Sequence, residues 1–266
     1  MRSQKACSVN NVNHLTNRAW PFLCWWRRLL FPAAVLLVWE LVVSLELAST
    51  YLLPPPRAVL AALWRLIVEG SLWIHLAASL QRVFVGFGLA FVMGLPLGIL
   101  VGLSPWGRDV FGGTLSFLQH IPPIAWIPLF ILWLGIGEAS KNAVIAYAAF
   151  FPVFLNTIHG LAMTDPKLVE VGRLYQLSPR ALVREIYLPA AFPAIFTGLR
   201  LGLGYSWRAL AAAELIAAER GLGYVIVEAR ELSQPELVLG GVLVIGAVGM
   251  VLENALARLE KCLLQS

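Results

Sequence analysis

Ionisable side chains inside long apolar runs are where this chain of 266 residues could do chemistry. A charge persists in hydrocarbon only where it faces a packed interior or water. The set is Glu40, Glu46, Arg82, His120, His159, Arg200, Arg208, Glu214 and Glu253. Glu46 and Glu253 lie at run ends, within reach of water, and are assigned no role. Arg82 and Arg200 also lie toward run ends, where a long cationic side chain reaches the interface by snorkelling. Arg208 and Glu214 sit deeper. Six positions apart, they point to different sides of a helix and form no intrahelical pair. Arg208, together with Ser206, is expected to line a translocation path and favour an anionic solute, with Glu214 a further candidate. Pairing of Arg208 with another helix is the competing expectation. His120, beside Ile121-Pro122-Pro123, reads as a helix-break residue rather than a proton relay. No two His share metal-ligand spacing, and no Ser–His–Asp set or carboxylate pair assembles, so neither a metal nor a catalytic residue is expected. The four Lys follow Gln4, Ser140, Pro166 and Glu260, so the Gly-Lys-[Ser/Thr] step of a phosphate-cradling loop does not occur. The chain is expected to carry no cofactor, to be no enzyme, and to draw any energy from elsewhere.

The elements that hold these residues follow from composition. Apolar residues make up 59% and charged residues 13%, with a mean hydropathy of +0.77. Soluble domains carry roughly 25% charged residues, so a water-soluble globule and a disordered chain are both excluded and a polytopic membrane protein remains. A span takes roughly 20 apolar residues as helix. Six segments qualify: 29–47, 80–103, 115–136 (interrupted by Pro122-Pro123), 143–163, 194–218 and 237–257. Residues 1–28 are expected to form a cytoplasmic tail, 29–258 the transmembrane domain and 259–266 a second cytoplasmic tail. Gly198-x-x-x-Gly202 reads as ordinary helix packing rather than a dimer signal. With the N-terminus inside, twelve Lys and Arg fall in inner segments and five in outer loops, which predicts cytoplasmic N- and C-termini. That dispersal explains the net charge of +5 without nucleic acid. Trp20, Phe22, Trp25 and Trp26 beside Arg27-Arg28 read as an interfacial belt. Cys7, Cys24 and Cys262 form no disulfide framework or zinc motif.

Two loops are long. In the outer one, Val59, Leu60, Leu63, Trp64 and Ile67 share a helical face, which predicts an amphipathic helix packed on the bundle. The cytoplasmic loop, about 164–193, is more informative. Asp165-Pro166 reads as N-cap and first helical residue, and Ser178-Pro179 repeats the device. Pro189 and Pro193 are expected to end the second helix. The pattern predicts two short helices joined by a tight turn at 175–177, charged on one side and apolar on the other. Such a hairpin is either a surface-lying loop or a docking lug for a soluble subunit.

This loop resembles a motif of the membrane-spanning subunits of ATP-binding-cassette (ABC) importers, E-A-A-x3-G-x9-I-x-L-P. Glu170, Ile186, Leu188 and Pro189 keep that spacing, while Val171 and Gly172 replace the two Ala and Gln176 replaces the turn Gly. A turn Gly supplies a positive φ, so Gln176 must use another geometry or accept strain. Leu53-Pro54-Pro55-Pro56-Arg57, the run from His75 to Gly86, Gly94-Leu95-Pro96-Leu97-Gly98, Ile121-Pro122-Pro123 and Ala213-Glu214 occur in order with it. Together they resemble the nitrate/sulfonate/taurine-type permeases over about residues 50–258. The resemblance implies an all-α importer permease fold in a bacterial inner membrane, with two copies forming the pore. It also implies a cytoplasmic ATPase dimer that uses the ATP and receives each hairpin, and an extracytoplasmic solute-binding protein that delivers the solute. Nitrate, sulfonates, taurine and heterocyclic vitamin precursors all fall within the resembled group. Glu170 would sit in the first coupling helix, with Glu170 and Arg173 as charged contacts and Val171, Leu174 and Leu177 as apolar anchors. Gly172, Gln176 and Ser178 would shape the turn; Ile186, Leu188 and Pro189 would close the hairpin. The alternative is an ion-driven secondary transporter acting without an ATPase, which would need an internal repeat or a midplane relay. An intramembrane enzyme would need a catalytic constellation.

Overall fold

A computed structural model describes residues 21–217 and 219–264, with side-chain detail from Leu30 onward. The tail expected at 1–28 and its aromatic belt therefore lie outside the residues described in full. The described chain is helical and falls into two compact units, one up to Ala58 and one from Val59. In the first, helix α1 (Pro21–Ser44) carries Trp39, whose indole N–H donates to the Pro54 carbonyl at 3.0 Å.

The second unit contains α2 (Pro56–Val68, from Val59), α3 (Ser71–Leu103), α4 (Pro105–Gln119), α5 (Ile127–Leu134), α6 (Glu138–Ala162), α7 (Pro166–Leu174), α8 (Pro179–Leu182), α9 (Leu188–Ala217), α10 (Leu222–Glu231) and α11 (Pro235–Leu264). Four helical stretches are long and apolar enough to cross a bilayer: Ser71–Leu103, Glu138–Ala162, Pro179–Ile216 and Pro235–Cys262. In α6, 61% of the apolar window is buried, against 11% in α11, so α6 is the centre of the bundle and α11 its rim. Burial cannot drive this arrangement, because lipid is as apolar as the core; close packing must. Small residues supply it. On α3, Gly86, Gly94, Gly98 and Gly102 lie directly against Ile145, Val153, Thr157 and Leu161 of α6. On the other side of α6, Gly198 and Gly202 of α9 meet Asn156, Pro152 and Ala149. The Gly198–Gly202 spacing thus serves packing within the chain, as expected.

The expected third span departs most. Its two halves, α4 and the segment Pro123–Leu134, are bent by 91°. Pro122 and Pro123 break the backbone ladder, and side chains satisfy the freed carbonyls. Tyr147 Oη donates to Leu118 O at 2.6 Å, and His120 Nδ1 lies 2.6 Å from Ser116 O. His120 thus occupies the break, as its neighbours suggested.

Two further expectations are corrected. Pro189 and Pro193 do not end a helix: Pro179–Ile216 runs through both. A π turn at Val183–Tyr187 explains how. In α register the Pro189 ring would press on the Glu185 carbonyl. The ladder instead widens just before it, with Leu188 N–H bonding Val183 O. On α2 the buried face is Val59 and Ala62, with Leu63 against Gly240, whereas Leu60, Trp64 and Ile67 are exposed. In a bilayer an apolar side chain has no need to turn inward, so hydrophobicity alone misassigned that face.

Candidate functional site

Three groups of polar or exposed residues stand out from the apolar bundle. The first is the hairpin. Asp165 accepts from Lys167 N at 2.9 Å and Ser178 accepts from Ala181 N at 3.3 Å, so both N-caps form as read. The turn between them is a Schellman motif: Leu177 N–H bonds Gly172 O at 3.1 Å and Gln176 N–H bonds Arg173 O at 2.9 Å. Its left-handed position falls on Gln176, at φ 57°. The chain thus holds a Gln in the left-handed region where the motif has Gly. Gly172 is buried, and a Cβ there would lie 2.5 Å from Ile186 Cδ1 and 2.7 Å from Leu182 Cδ1. A small residue at 172 lets α7 lie against the Leu182 and Ile186 methyls of α8 and the π turn. Ile186 is thus a packing residue of the hairpin, and Leu188 and Pro189 begin α9. Glu170, Val171 and Arg173 are exposed, Leu177 is half-buried, and the tip residues Leu174 and Tyr175 are 81% and 79% exposed. Tyr175 was not singled out from sequence, although it continues the apolar run of Val171 and Leu174.

The second group lies along α9. Arg208 is exposed and stands 5.4 Å from the Tyr205 ring centroid. Among the described residues no carboxylate pairs with it. It lines a cavity of about 390 Å³ against Gly246, Gly249 and Met250 of α11. Tyr205 also borders a second cavity of about 250 Å³, formed with Gln119, Tyr147 and Asn156. Of the three pathway candidates, Arg208 opens on a cavity. Ser206 is fully buried, its hydroxyl without a hydrogen-bond partner, because it lies on the face of α9 turned into the bundle. Arg200 does not snorkel freely: Nη1 meets Glu260 at 2.9 Å and Nη2 meets Glu253 at 3.8 Å, so Glu253 also has a partner.

The third group corrects the reading of both Arg82 and Glu214. Arg82 is buried. Its Nε and Nη2 grip Glu138 at 2.6 and 2.8 Å, and its Nη1 donates to Glu214 Oε1 at 2.6 Å and to the Arg220 carbonyl at 2.5 Å. Glu214, fully buried, also accepts from Ser79 Oγ at 2.8 and 2.9 Å and from Gly223 N at 2.9 Å. It therefore faces no path: every contact of its carboxylate belongs to a closed cluster. Lys141 Nζ adds to Glu138 at 3.0 Å, Leu222 N donates to Ser79 Oγ at 2.9 Å, and Gly221 N donates to His75 Nδ1 at 3.2 Å. Two cations and two carboxylates balance. The cluster ties α3, α6 and α9 to the turn at 219–223, and the Glu214 carboxylate fills the space a side chain on Gly221 (φ 130°) would need. Ser79, Glu138 and Lys141 were missed from sequence. The available signal was His75, Ser79 and Arg82, a polar stripe at i, i+4 and i+7 on a largely apolar helix.

An all-α bundle with helices long and apolar enough to cross a bilayer, and a helical hairpin between two of them, is the architecture of an integral membrane protein. The comparisons agree. Residues 94–263 match the family described as binding-protein-dependent transport system inner membrane component. The putative aliphatic sulfonates transport permease protein SsuC of Bacillus subtilis is 38% identical over 241 residues, covering 91% of this chain and 87% of that protein. The taurine transport system permease protein TauC of Escherichia coli is 38% identical, covering 86% and 85%. The nitrate import permease protein NrtB of Synechocystis is 36% identical, with the same coverage of 86% and 85%. Inward-facing MetNI methionine ABC transporter structures share the fold, with a TM-score of 0.65 at 19% identity over 73% of this chain and 97% of that one. The chain belongs to the binding-protein-dependent inner-membrane permease family. It is the membrane-spanning permease subunit of an ABC importer, an integral inner-membrane protein of a class that works with an ATP-binding subunit and a solute-binding protein.

Proposed function

We propose that two copies of this chain form the pore of an importer for a small organic or inorganic anion, with a sulfonate, taurine or nitrate as the solute. Both termini and the α7–α8 hairpin stand in the cytoplasm. An ATP-binding subunit dimer takes up the hairpins and hydrolyses the ATP, so the chain itself holds no cofactor and catalyses no reaction. The observation that carries this reading is the hairpin: a packed Gly172–Ile186 interior presenting an apolar tip that none of the described residues covers. Exposed Leu174 and Tyr175 in water are unfavourable by roughly 25 cal/mol per Å² of apolar surface, which a partner's cleft relieves. Val171, Glu170 and Arg173 flank that tip as specificity contacts. Closure of the ATPase dimer pushes the hairpin, and α6 and α9, joined to it at either end, move as rigid helices. Arg208 supplies the positive charge toward which an anion is drawn, with the Tyr205 ring holding the guanidinium. The relatives named for sulfonates, taurine and nitrate support the anionic class. The test is co-purification of the ATP-binding subunit with Leu174→Asp and Tyr175→Asp variants. Loss of the subunit from a chain that still elutes as the native protein is expected; full retention would refute the docking role.

A further inference from the structure

A third cavity, about 310 Å³, lies where α3, α6 and α7 meet. Arg108, Thr164, Glu170, Arg173 and Tyr187 line it. Thr164 is 8% exposed, and its Oγ1 has no hydrogen-bond partner. Among the described residues, neither Arg108 nor Arg173 is in an ion pair. The start of α7 is already satisfied by Asp165, so the unmet demand comes from side chains. Two guanidinium groups against one carboxylate leave the cavity positive. Trp106, two residues before Arg108, is exposed, as aromatic side chains are at headgroup level. Met163, adjoining Thr164, and Leu168, on α7, are exposed apolar side chains as well.

We propose that this cavity binds a phosphate-bearing anion, held by Arg108 and Arg173 with the Thr164 hydroxyl, and that an anionic phospholipid headgroup supplies it. Forked guanidinium groups match phosphate oxygens, and basic pockets between spans take such headgroups. The ligand would join the α3–α4 turn to the first helix of the hairpin, so lipid composition would bear on the element that meets the ATPase. This rests on the functional reading for α7 standing at a membrane surface, and it shares Arg173 with the face that reading gives to the ATPase. Its readout is binding, so it stands or falls apart from solute transport.

The full-length chain in phosphatidylcholine vesicles is treated with phenylglyoxal, and modification of each arginine is followed by peptide mass spectrometry. Exposed Arg258, outside the cavity, is the internal reference. Phosphatidylglycerol at about 20 mol% should slow modification of Arg108 and Arg173 by at least about fivefold relative to Arg258. Thr164→Val should lose much of that protection at an unchanged Arg258 rate. Protection by inorganic phosphate in lipid free of anionic headgroups would keep the site and assign it a soluble ligand. Equal slowing at Arg258, or protection only when the ATP-binding subunit is added, would overturn the proposal.

Discussion

Replacing Glu214 with Gln changes no shape and removes one charge from a closed cluster. The carboxylate accepts from Ser79 Oγ, Arg82 Nη1 and Gly223 N, all within 2.9 Å. A Gln carbonyl can serve only one oxygen's worth of these donors. Its amide N–H2 can face the Ser79 oxygen, but then either Arg82 or Gly223 N keeps less than it had. Hydrogen bonds to charged groups contribute roughly 1.5–3 kcal/mol each, and leaving a buried charge unbalanced costs about 3–5 kcal/mol. Arg82 retains Glu138, which is 58% exposed and partly solvated, so the expected loss is about 3–4 kcal/mol. Arg82→Gln should cost a similar amount. Because both act on one cluster, the double variant should fall short of the sum by about 2 kcal/mol. Equilibrium unfolding in mixed micelles, read by tryptophan fluorescence, measures all three. A loss below about 1 kcal/mol for Glu214→Gln, or additivity within about 0.5 kcal/mol, would refute the reasoning.

Gly98→Ala places a Cβ 2.8 Å from Thr157 Cβ and 3.0 Å from the Phe154 carbonyl, and should destabilise by about 1–3 kcal/mol in the same assay. Gly88→Ala meets nothing within 4 Å and should be neutral or stabilising by up to about 1 kcal/mol; equal effects would contradict the packing stripe. Gln176→Gly relieves a left-handed residue and should stabilise the hairpin turn by about 1 kcal/mol, seen as slower amide exchange at 175–177, and faster exchange would count against the Schellman assignment. Arg208→Ala, at normal abundance, should lower anion uptake about tenfold, the loss of one charge-assisted contact, whereas unchanged uptake would remove Arg208 from the path.

Much of the fold was legible because its signals are local. Asp165-Pro166 and Ser178-Pro179 act within one helical turn, and each forms the cap its types require. Four of the six expected spans follow from run lengths, while 29–47 overlaps only a shorter apolar helix, Leu30–Ser44, and 115–136 is broken. The Gly198–Gly202 spacing follows from the need for close approach without a hydrophobic driving force. What escaped is what depends on distant partners. Arg82 meets Glu138 and Glu214 across 56 and 132 positions, and no spacing rule reaches that far. Position near a run end therefore suggested snorkelling where the chain builds a buried cluster. Pro189 was read as a stop because proline opposes an α register; a π turn that changes the register is a second solution. The face of α2 was misassigned because apolar residues are at home on either side of a helix in lipid. Within the candidate sites, the hairpin forms with the caps and turn its residue types imply, and of the pathway set Arg208 stands at a cavity.

The proposed importer draws its energy from a partner ATPase and is driven through its hairpin. The most direct measurement is uptake of an isotope-labelled solute bearing an anionic group, tested as taurine, a short alkanesulfonate and nitrate, into proteoliposomes assembled from this chain. Accumulation against a gradient should require the ATP-binding subunit, the solute-binding protein and ATP together, and should vanish with Leu174→Asp. Uphill accumulation by the chain alone, driven by an ion gradient, would contradict it.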